Sequence, residues 1–137
     1  LFFTGSTRDA SEILKSQTEK TEDKFETLKK MRDLVPELKK TIEIGDHDGF
    51  GALLHKNWLL KKSITNDISN RTIDEYYQKA LDGGALGGKL LGAGGGGFLF
   101  FYVNKENQKN LIKNMSGLYN LNFEFEDVGT QITYYDQ

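Results

Sequence analysis

Five glycines crowd into the six residues Gly92-Ala93-Gly94-Gly95-Gly96-Gly97, which Lys89-Leu90-Leu91 enters and Phe98-Leu99-Phe100-Phe101-Tyr102-Val103 leaves. An ordered glycine loses more conformational entropy than any other residue and contributes no side chain, so such a run implies positive φ angles or a close approach to something. Successive backbone N–H groups in a turn of this kind can converge on a phosphate or another anion. A flexible linker is the alternative reading, but linkers are rarely held between two apolar, strand-like segments. The run is therefore read as a functional strand-to-strand loop.

Two familiar glycine motifs fit the letters and fail on context. Gly83 to Lys89 spells G-x-x-x-x-G-K, but Leu90 stands where a P-loop needs Ser or Thr, and the preceding segment is helical in pattern where a strand is required. Gly92 to Gly97 satisfies G-x-G-x-x-G, yet a dinucleotide fingerprint opens a helix and this one opens the β-rich run Phe98 to Val103.

The 137 residues, 37% hydrophobic and 28% charged, suit a single domain with a modest core. A net charge of −2 and a pI near 5.7 give no general attraction to nucleic acid or to an anionic membrane, and acids and bases alternate rather than form blocks. Neither is expected as a partner. The absence of cysteine excludes disulfides and thiolate metal sites and fits a cytoplasmic protein. No apolar run has bilayer-spanning length and none reads as a signal peptide. The chain opens at Leu1 in a strand-like stretch, as expected of a piece of a longer protein.

Helical patterns fill the first half. Ser6 with Asp9 offers a weak capping box for a helix from about Thr7, with Ala10, Ile13, Leu14 and Gln17 on one face. Phe25, Leu28, Met31 and Leu34 or Val35 form the apolar stripe of a second helix. Pro36 disfavours helical geometry at Val35, so a break and a short third helix to about Ile44 are expected before Gly45. Asp46 or Asp48 then caps a helix carrying Phe50, Leu53, Leu54 and Trp58, and Thr72 with Glu75 caps one carrying Ile73, Tyr76, Tyr77, Ala80 and Leu81, closed by Gly83-Gly84. After Val103 a helix from about Lys105 to Ser116 buries Leu111, Ile112 and Met115. Strict alternation in Asn122-Phe123-Glu124-Phe125-Glu126 and the run Gln131 to Tyr135 predict two closing strands. The fold class is α+β, with helices packed on one face of a mostly antiparallel sheet.

Gly87-Gly88-Lys89-Leu90-Leu91-Gly92-Ala93-Gly94-Gly95-Gly96-Gly97-Phe98 resembles the third signature of the GHMP kinases, the superfamily of galactose, homoserine, mevalonate and phosphomevalonate kinases. Thr4 to Ser11, the Leu53-Leu54 to Trp58 helix, Lys61-Lys62-Ser63 and Ile68-Ser69-Asn70 resemble the branch that phosphorylates heptose 7-phosphate at its anomeric carbon. Leu91 and Phe98 stand where galactokinase relatives often carry Thr or Ser and Cys, which favours the heptose branch. The resemblance covers nearly all of residues 1–137 and only the C-terminal, ferredoxin-like domain of such an enzyme. It implies an ATP-dependent, Mg2+-requiring sugar kinase of carbohydrate metabolism acting on a sugar phosphate. The ATP-binding N-terminal domain would be the partner, since the family's Gly- and Ser-rich phosphate loop is not in this sequence. On this reading the chain alone is inactive and holds no catalytic residue.

The expected phosphate- and substrate-binding residues are Gly92, Ala93, Gly94, Gly95, Gly96 and Gly97, whose N–H groups would face oxygens that gain charge in the transition state. Replacing Gly94 or Gly95 by Val is expected to abolish turnover of the whole enzyme while the domain stays folded. Arg8 suits bidentate contact with phosphate, or is an ordinary exposed arginine of a first helical turn. Thr4 and Gly5 share its stretch. Lys89 either faces phosphate or guards a strand end. His47 and His55, eight apart without cysteine or a carboxylate pattern, offer no metal site. The other reading is a non-catalytic module of ferredoxin-like fold that binds a small anion or an assembly partner through the same loop.

Overall fold

A computed structural model describes residues 1–134. The apolar alternation of the chain's ends and centre produces four strands, β1 (Phe2–Phe3), β2 (Ala85–Leu90), β3 (Phe98–Val103) and β4 (Tyr119–Asn120), in one antiparallel sheet of order β2-β3-β1-β4. Helices α1 (Ala10–Glu19), α2 (Phe25–Ile44), α3 (His47–Lys62) and α4 (Arg71–Asp82) lie between β1 and β2, and α5 (Gln108–Asn114) lies between β3 and β4. This βαββαβ connectivity is the ferredoxin-like arrangement, elaborated by extra helices in its first crossover.

Alternation along β3 sorts its side chains by face. Leu99 and Phe101, with Phe2 beside them on β1, point to the helices. There one cluster joins Ile13, Trp58, Ile64, Ile68, Ile73, Tyr77, Leu90 and Leu99, and a second joins Phe2, Ala80, Ala85, Leu111 and Met115. Each such burial contributes roughly 1.5–3 kcal/mol for a large apolar side chain. Phe3, Phe98, Phe100 and Tyr102 occupy the other face, where the Phe3 and Phe98 rings lie 5.2 Å apart and Phe123 covers Phe100 at 6.3 Å. The start of α3 reaches this face too, with Phe50 edge-on to Tyr102 at 5.1 Å.

β2 is an edge strand, and its outward polar groups are met from the helices. The Tyr77 hydroxyl donates to the Gly88 carbonyl at 3.2 Å and accepts from the Gly88 N–H at 3.1 Å. His55 Nδ1, hydrogen-bonded to the same hydroxyl at 2.9 Å, completes the cluster. Burial pushes the Tyr77 phenol up to about 12, partly opposed by the bond to Gly88. Alongside, α3 approaches β2 so closely that a Cβ on Gly87 would lie 2.0 Å from the Gly51 carbonyl oxygen. Only glycine fits there. Trp58, 1% exposed, stacks on Tyr77 at 5.9 Å, and its indole Nε1 has no acceptor among the described residues.

Several boundaries differ from the sequence reading, each for a local reason. Asp9, not Ser6, caps α1 by accepting from the Ser11 N–H at 2.8 Å, so the helix starts at Ala10. Helix α2 runs unbroken through Pro36 because Leu28, Met31, Leu34 and Leu38 keep one inward stripe across it. Pro36 and Arg32 both lie on the exposed side, where the carbonyl left without a donor meets water. Phe25 and Val35 are exposed, leaving Leu34 as the buried residue of α2. Asn70, not Thr72, caps α4 through the Ile73 N–H at 3.0 Å. The predicted Lys105–Ser116 helix is a 3-10 turn, Lys105–Asn107, followed by α5, and Ile112 is exposed while Leu111 and Met115 are buried.

The two predicted closing strands are the largest departure. Residues 122–126 and 131–134 form no strand, Tyr135 lies outside the described residues, and the fourth strand is instead Tyr119–Asn120. Antiparallel pairing runs Phe3 to Tyr119 and Phe2 to Asn120, with the Leu121 N–H on the Leu1 carbonyl at 2.8 Å, and Phe123 then packs its ring against Phe100.

Two outcomes test this packing. Gly87→Ala should lower unfolding stability by about 3 kcal/mol, since the obstructing atoms are backbone and cannot rotate away; denaturant titration showing under about 1 kcal/mol would mean that α3 can retreat. Tyr77, whose folded pKa exceeds its unfolded value, adds stability that is complete below about pH 10 and is lost as pH rises through about 12. Wild type should therefore lose stability across that window more steeply than Tyr77→Phe, measured by urea unfolding at successive pH values.

Candidate functional site

The loop between β2 and β3 is built by positive φ at Gly92 (78°), Gly94 (130°), Gly95 (74°) and Gly97 (102°), which L side chains rarely adopt. It is braced from four directions. The Gly97 N–H donates to the Ser6 carbonyl at 2.8 Å, and the Gly97 carbonyl accepts from the Thr4 N–H at 2.8 Å and the Thr4 hydroxyl at 2.9 Å. The Gly95 N–H donates to the Ile68 carbonyl at 2.9 Å. Gln17 Nε2 donates to the Ala93 carbonyl at 3.0 Å, and Lys61 Nζ donates to the Gly92 carbonyl at 2.6 Å.

The braces divide the loop's donors. Gly95 and Gly97 N–H groups are committed to the protein, while those of Gly92, Ala93, Gly94 and Gly96 have no hydrogen-bond partner among the described residues. Gly94 and Gly96 are buried residues. An unpaired N–H away from water costs about as much as a lost hydrogen bond, so this is a rigid loop holding donors in reserve.

The sequence candidates converge here, in unequal roles. Thr4 is buried and its hydroxyl is engaged by Gly97, which makes it a brace. Gly5 supplies the turn after it at φ 80° with open space beside it. Arg8 is exposed and lies along the loop: a Cβ on Gly95 would meet its side chain at 3.0 Å. Lys89 sits half-buried on β2, three residues before Gly92. The expectation for Gly94 changes with its surroundings. A Cβ there would lie 2.7 Å from the Ile68 backbone, so Val at this position disturbs the core as well as the loop.

Sequence reasoning missed the second layer of support. Asp67 Oδ2 accepts from Ser16 Oγ at 2.8 Å and Thr65 Oγ1 at 2.9 Å, tying α1 to the segment whose Ile68 carbonyl holds the loop. These two bonds, Ser16's foremost, hold the carboxyl below its ordinary value despite some desolvation, with help from Lys20 and Arg8. Only the crowding of short polar residues after α3 hinted at such a clasp.

Among the described residues no group of three or more His, Cys, Asp or Glu side chains is placed to hold a metal ion, and no helix is long and apolar enough to cross a membrane. His55 bonds Tyr77 and His47 stacks on Tyr102 at 6.2 Å. Two cavities, of about 830 and 590 Å³, lie around the Leu1–Phe123 and Phe50–Phe125 regions, and neither is lined by a glycine-loop residue.

The brace at Ile68 separates two kinds of loop glycine. Gly94→Ala combines positive-φ strain with a backbone clash and should cost about 3 kcal/mol, whereas Gly92→Ala meets open space and should cost only the strain, about 1 kcal/mol. Equal losses on chemical unfolding would remove the Ile68 contact as the loop's anchor.

Comparison with known proteins agrees with this geometry. Residues 34–121 match the family described as GHMP kinases C terminal. The chain is 35% identical over 115 residues to the D-glycero-alpha-D-manno-heptose 7-phosphate kinase of Campylobacter jejuni, a match covering 82% of this chain and 34% of that protein. Among solved structures it resembles L. major mevalonate kinase in complex with R-mevalonate (TM-score 0.72, 22% identity, 85% of this chain and 36% of that one) and a Lin0012 protein from Listeria innocua (TM-score 0.76, 16% identity, 90% and 38%). Another mevalonate kinase structure aligns at TM-score 0.66 and 26% identity, over 85% of this chain and 35% of that one. The chain thus spans about a third of the length of the relatives it matches, and it belongs to the GHMP kinases, carrying their C-terminal domain.

Proposed function

We propose that this chain, residues 1–137, is the acceptor-side domain of a sugar kinase that transfers the γ-phosphoryl group of ATP to the anomeric hydroxyl of heptose 7-phosphate. The observation carrying this reading is the braced loop with four uncommitted N–H donors at Gly92, Ala93, Gly94 and Gly96. Phosphoryl transfer needs little covalent chemistry from a protein; it needs positioning, and fixed donors where oxygens gain charge. Rigid glycine N–H groups meet that need because they do not reorganise during the reaction.

The loop's N–H groups suit phosphate oxygens, and among the described residues no group of three or more His, Cys, Asp or Glu side chains is placed to hold Mg2+ by itself. In this reading the ion and most of the nucleotide are held by the N-terminal domain, which also supplies the base for the acceptor hydroxyl. The loop is then one wall of a site that the partner domain closes. Arg8, beside Gly95, reaches the same space and suits a phosphate oxygen of the sugar. A cytoplasmic setting, where ATP is available, fits the cysteine-free sequence.

The test is an assay of the full-length protein with ATP, Mg2+ and heptose 7-phosphate, reading the product by phosphorus NMR. A new anomeric phosphate is expected, with the isolated chain silent. Arg8→Ala should lower kcat/KM for the sugar phosphate about tenfold, the loss of one charge-assisted contact. A full-length protein that binds the sugar phosphate and transfers nothing would leave a binding module in place of the enzyme.

A further inference from the structure

Two cations flank the glycine loop without an acid between them. Lys61, in the last turn of α3, is half-buried and gives one of its ammonium protons to the Gly92 carbonyl. Its neighbour Lys62 behaves conventionally, pairing with Asp74 at 2.5 Å. Among the described residues neither Lys61 nor Lys89 makes an ion pair. Strand alternation puts Lys89 on the side of Gly87, the residue pressed against α3, and so on the side from which Lys61 arrives.

We infer that Lys61 and Lys89 together form a cationic subsite beside Gly92 that receives a phosphate group of a substrate. The identity of that substrate rests on the kinase reading above.

The physical case is one of compensation. Burial first, and the charge of Lys89 second, hold the Lys61 ammonium below its ordinary pKa. A carbonyl oxygen satisfies one of three ammonium donors and neutralises no charge. A lysine needed only to pin Gly92 would be served better without a like charge nearby, whereas a dianionic phosphate turns the repulsion into a two-point contact. The N–H groups of Gly92, whose carbonyl Lys61 holds, and of the next residue Ala93 have no partner among the described residues. The phosphate is the one already on the acceptor sugar or one of the nucleotide's, and the chemistry of recognition is common to both.

Lys61→Gln, Lys89→Gln and the corresponding Arg variants would be made in the full-length protein and KM measured for each substrate. A rise of about tenfold or more in KM for heptose 7-phosphate, with KM for ATP within about twofold, assigns the subsite to the sugar's phosphate; a rise for ATP assigns it to the nucleotide. The Arg variants should retain most of the affinity. Should Lys61→Gln lower the melting temperature through its lost bond to Gly92, Lys89→Gln, which bonds nothing in the loop, carries the comparison. Both KM values unmoved in Lys89→Gln and in any folded Lys61→Gln overturn the subsite. If wild type shows no transfer at all, the kinase reading fails separately, and calorimetric binding of inorganic pyrophosphate decides the subsite: weakening of about tenfold in the double Gln variant upholds it, and unchanged or absent wild-type binding refutes it.

Discussion

Contact between two backbones, α3 against β2 at Gly51 and Gly87, determines where the rest of the domain can sit. Side chains at these positions would hold the helix away, and the consequences would run along its length. His55 would leave Tyr77, Tyr77 would leave the exposed edge of β2, and Lys61 would no longer reach the glycine loop. The segment that follows α3 carries Asp67 and Ile68, so the loop's anchor would move as well. The glycines of the sheet and those of the loop thus serve different ends. The first bring elements together, and the second allow a backbone shape and leave donors uncommitted.

Rigidity and availability are balanced within one short loop. Two of its five glycine N–H groups, those of Gly95 and Gly97, lock it to the segment after α3 and to the one after β1, and the other three have no partner among the described residues. Donors held this way keep their direction when a charge forms near them, which is the property that makes backbone groups effective in stabilising developing charge. The braces come from residues far apart in sequence, Ser6, Gln17, Lys61 and Ile68. Loosening any of them would let the donors turn toward each other's carbonyls or toward water.

Much of this was legible in the sequence because it rests on local chemistry. The glycine run between two apolar segments identified both a strand-to-strand loop and the site candidates, and the apolar stripes gave Ile13, Leu34, Trp58 and Tyr77 as core. What the sequence did not disclose depends on distant partners. Alternation in 122–126 carries a strand pattern, but a strand also needs a hydrogen-bonded neighbour, and here Phe123 is used instead to cover the Phe100 ring. Pro36 has the signature of a break, yet a continuous buried stripe on the opposite side outweighs one missing hydrogen bond on the wet side. Thr4 had the composition of a ligand contact and became a brace once Gly97 was folded onto it.

The charge distribution then bears on how such a domain works in company. Its net charge is −2, so long-range attraction does not bring anions to it. Yet Lys61 and Lys89 lie beside one loop without an ion pair among the described residues, whereas Arg8 has the Asp67 carboxylate near it and Lys62 and Arg71 pair with Asp74 and Glu75. Exposed to water this cluster is screened within about 10 Å at moderate salt. Covered by a second domain, the same charges and the same four N–H groups act in a lower dielectric and are strengthened accordingly. If the proposed subsite receives an anion, closure over it would be favoured over closure on an empty site, because the anion relieves the repulsion between the lysines. On the proposed kinase reading, the loop's electrostatics would couple the arrival of phosphate to the assembly of the complete site.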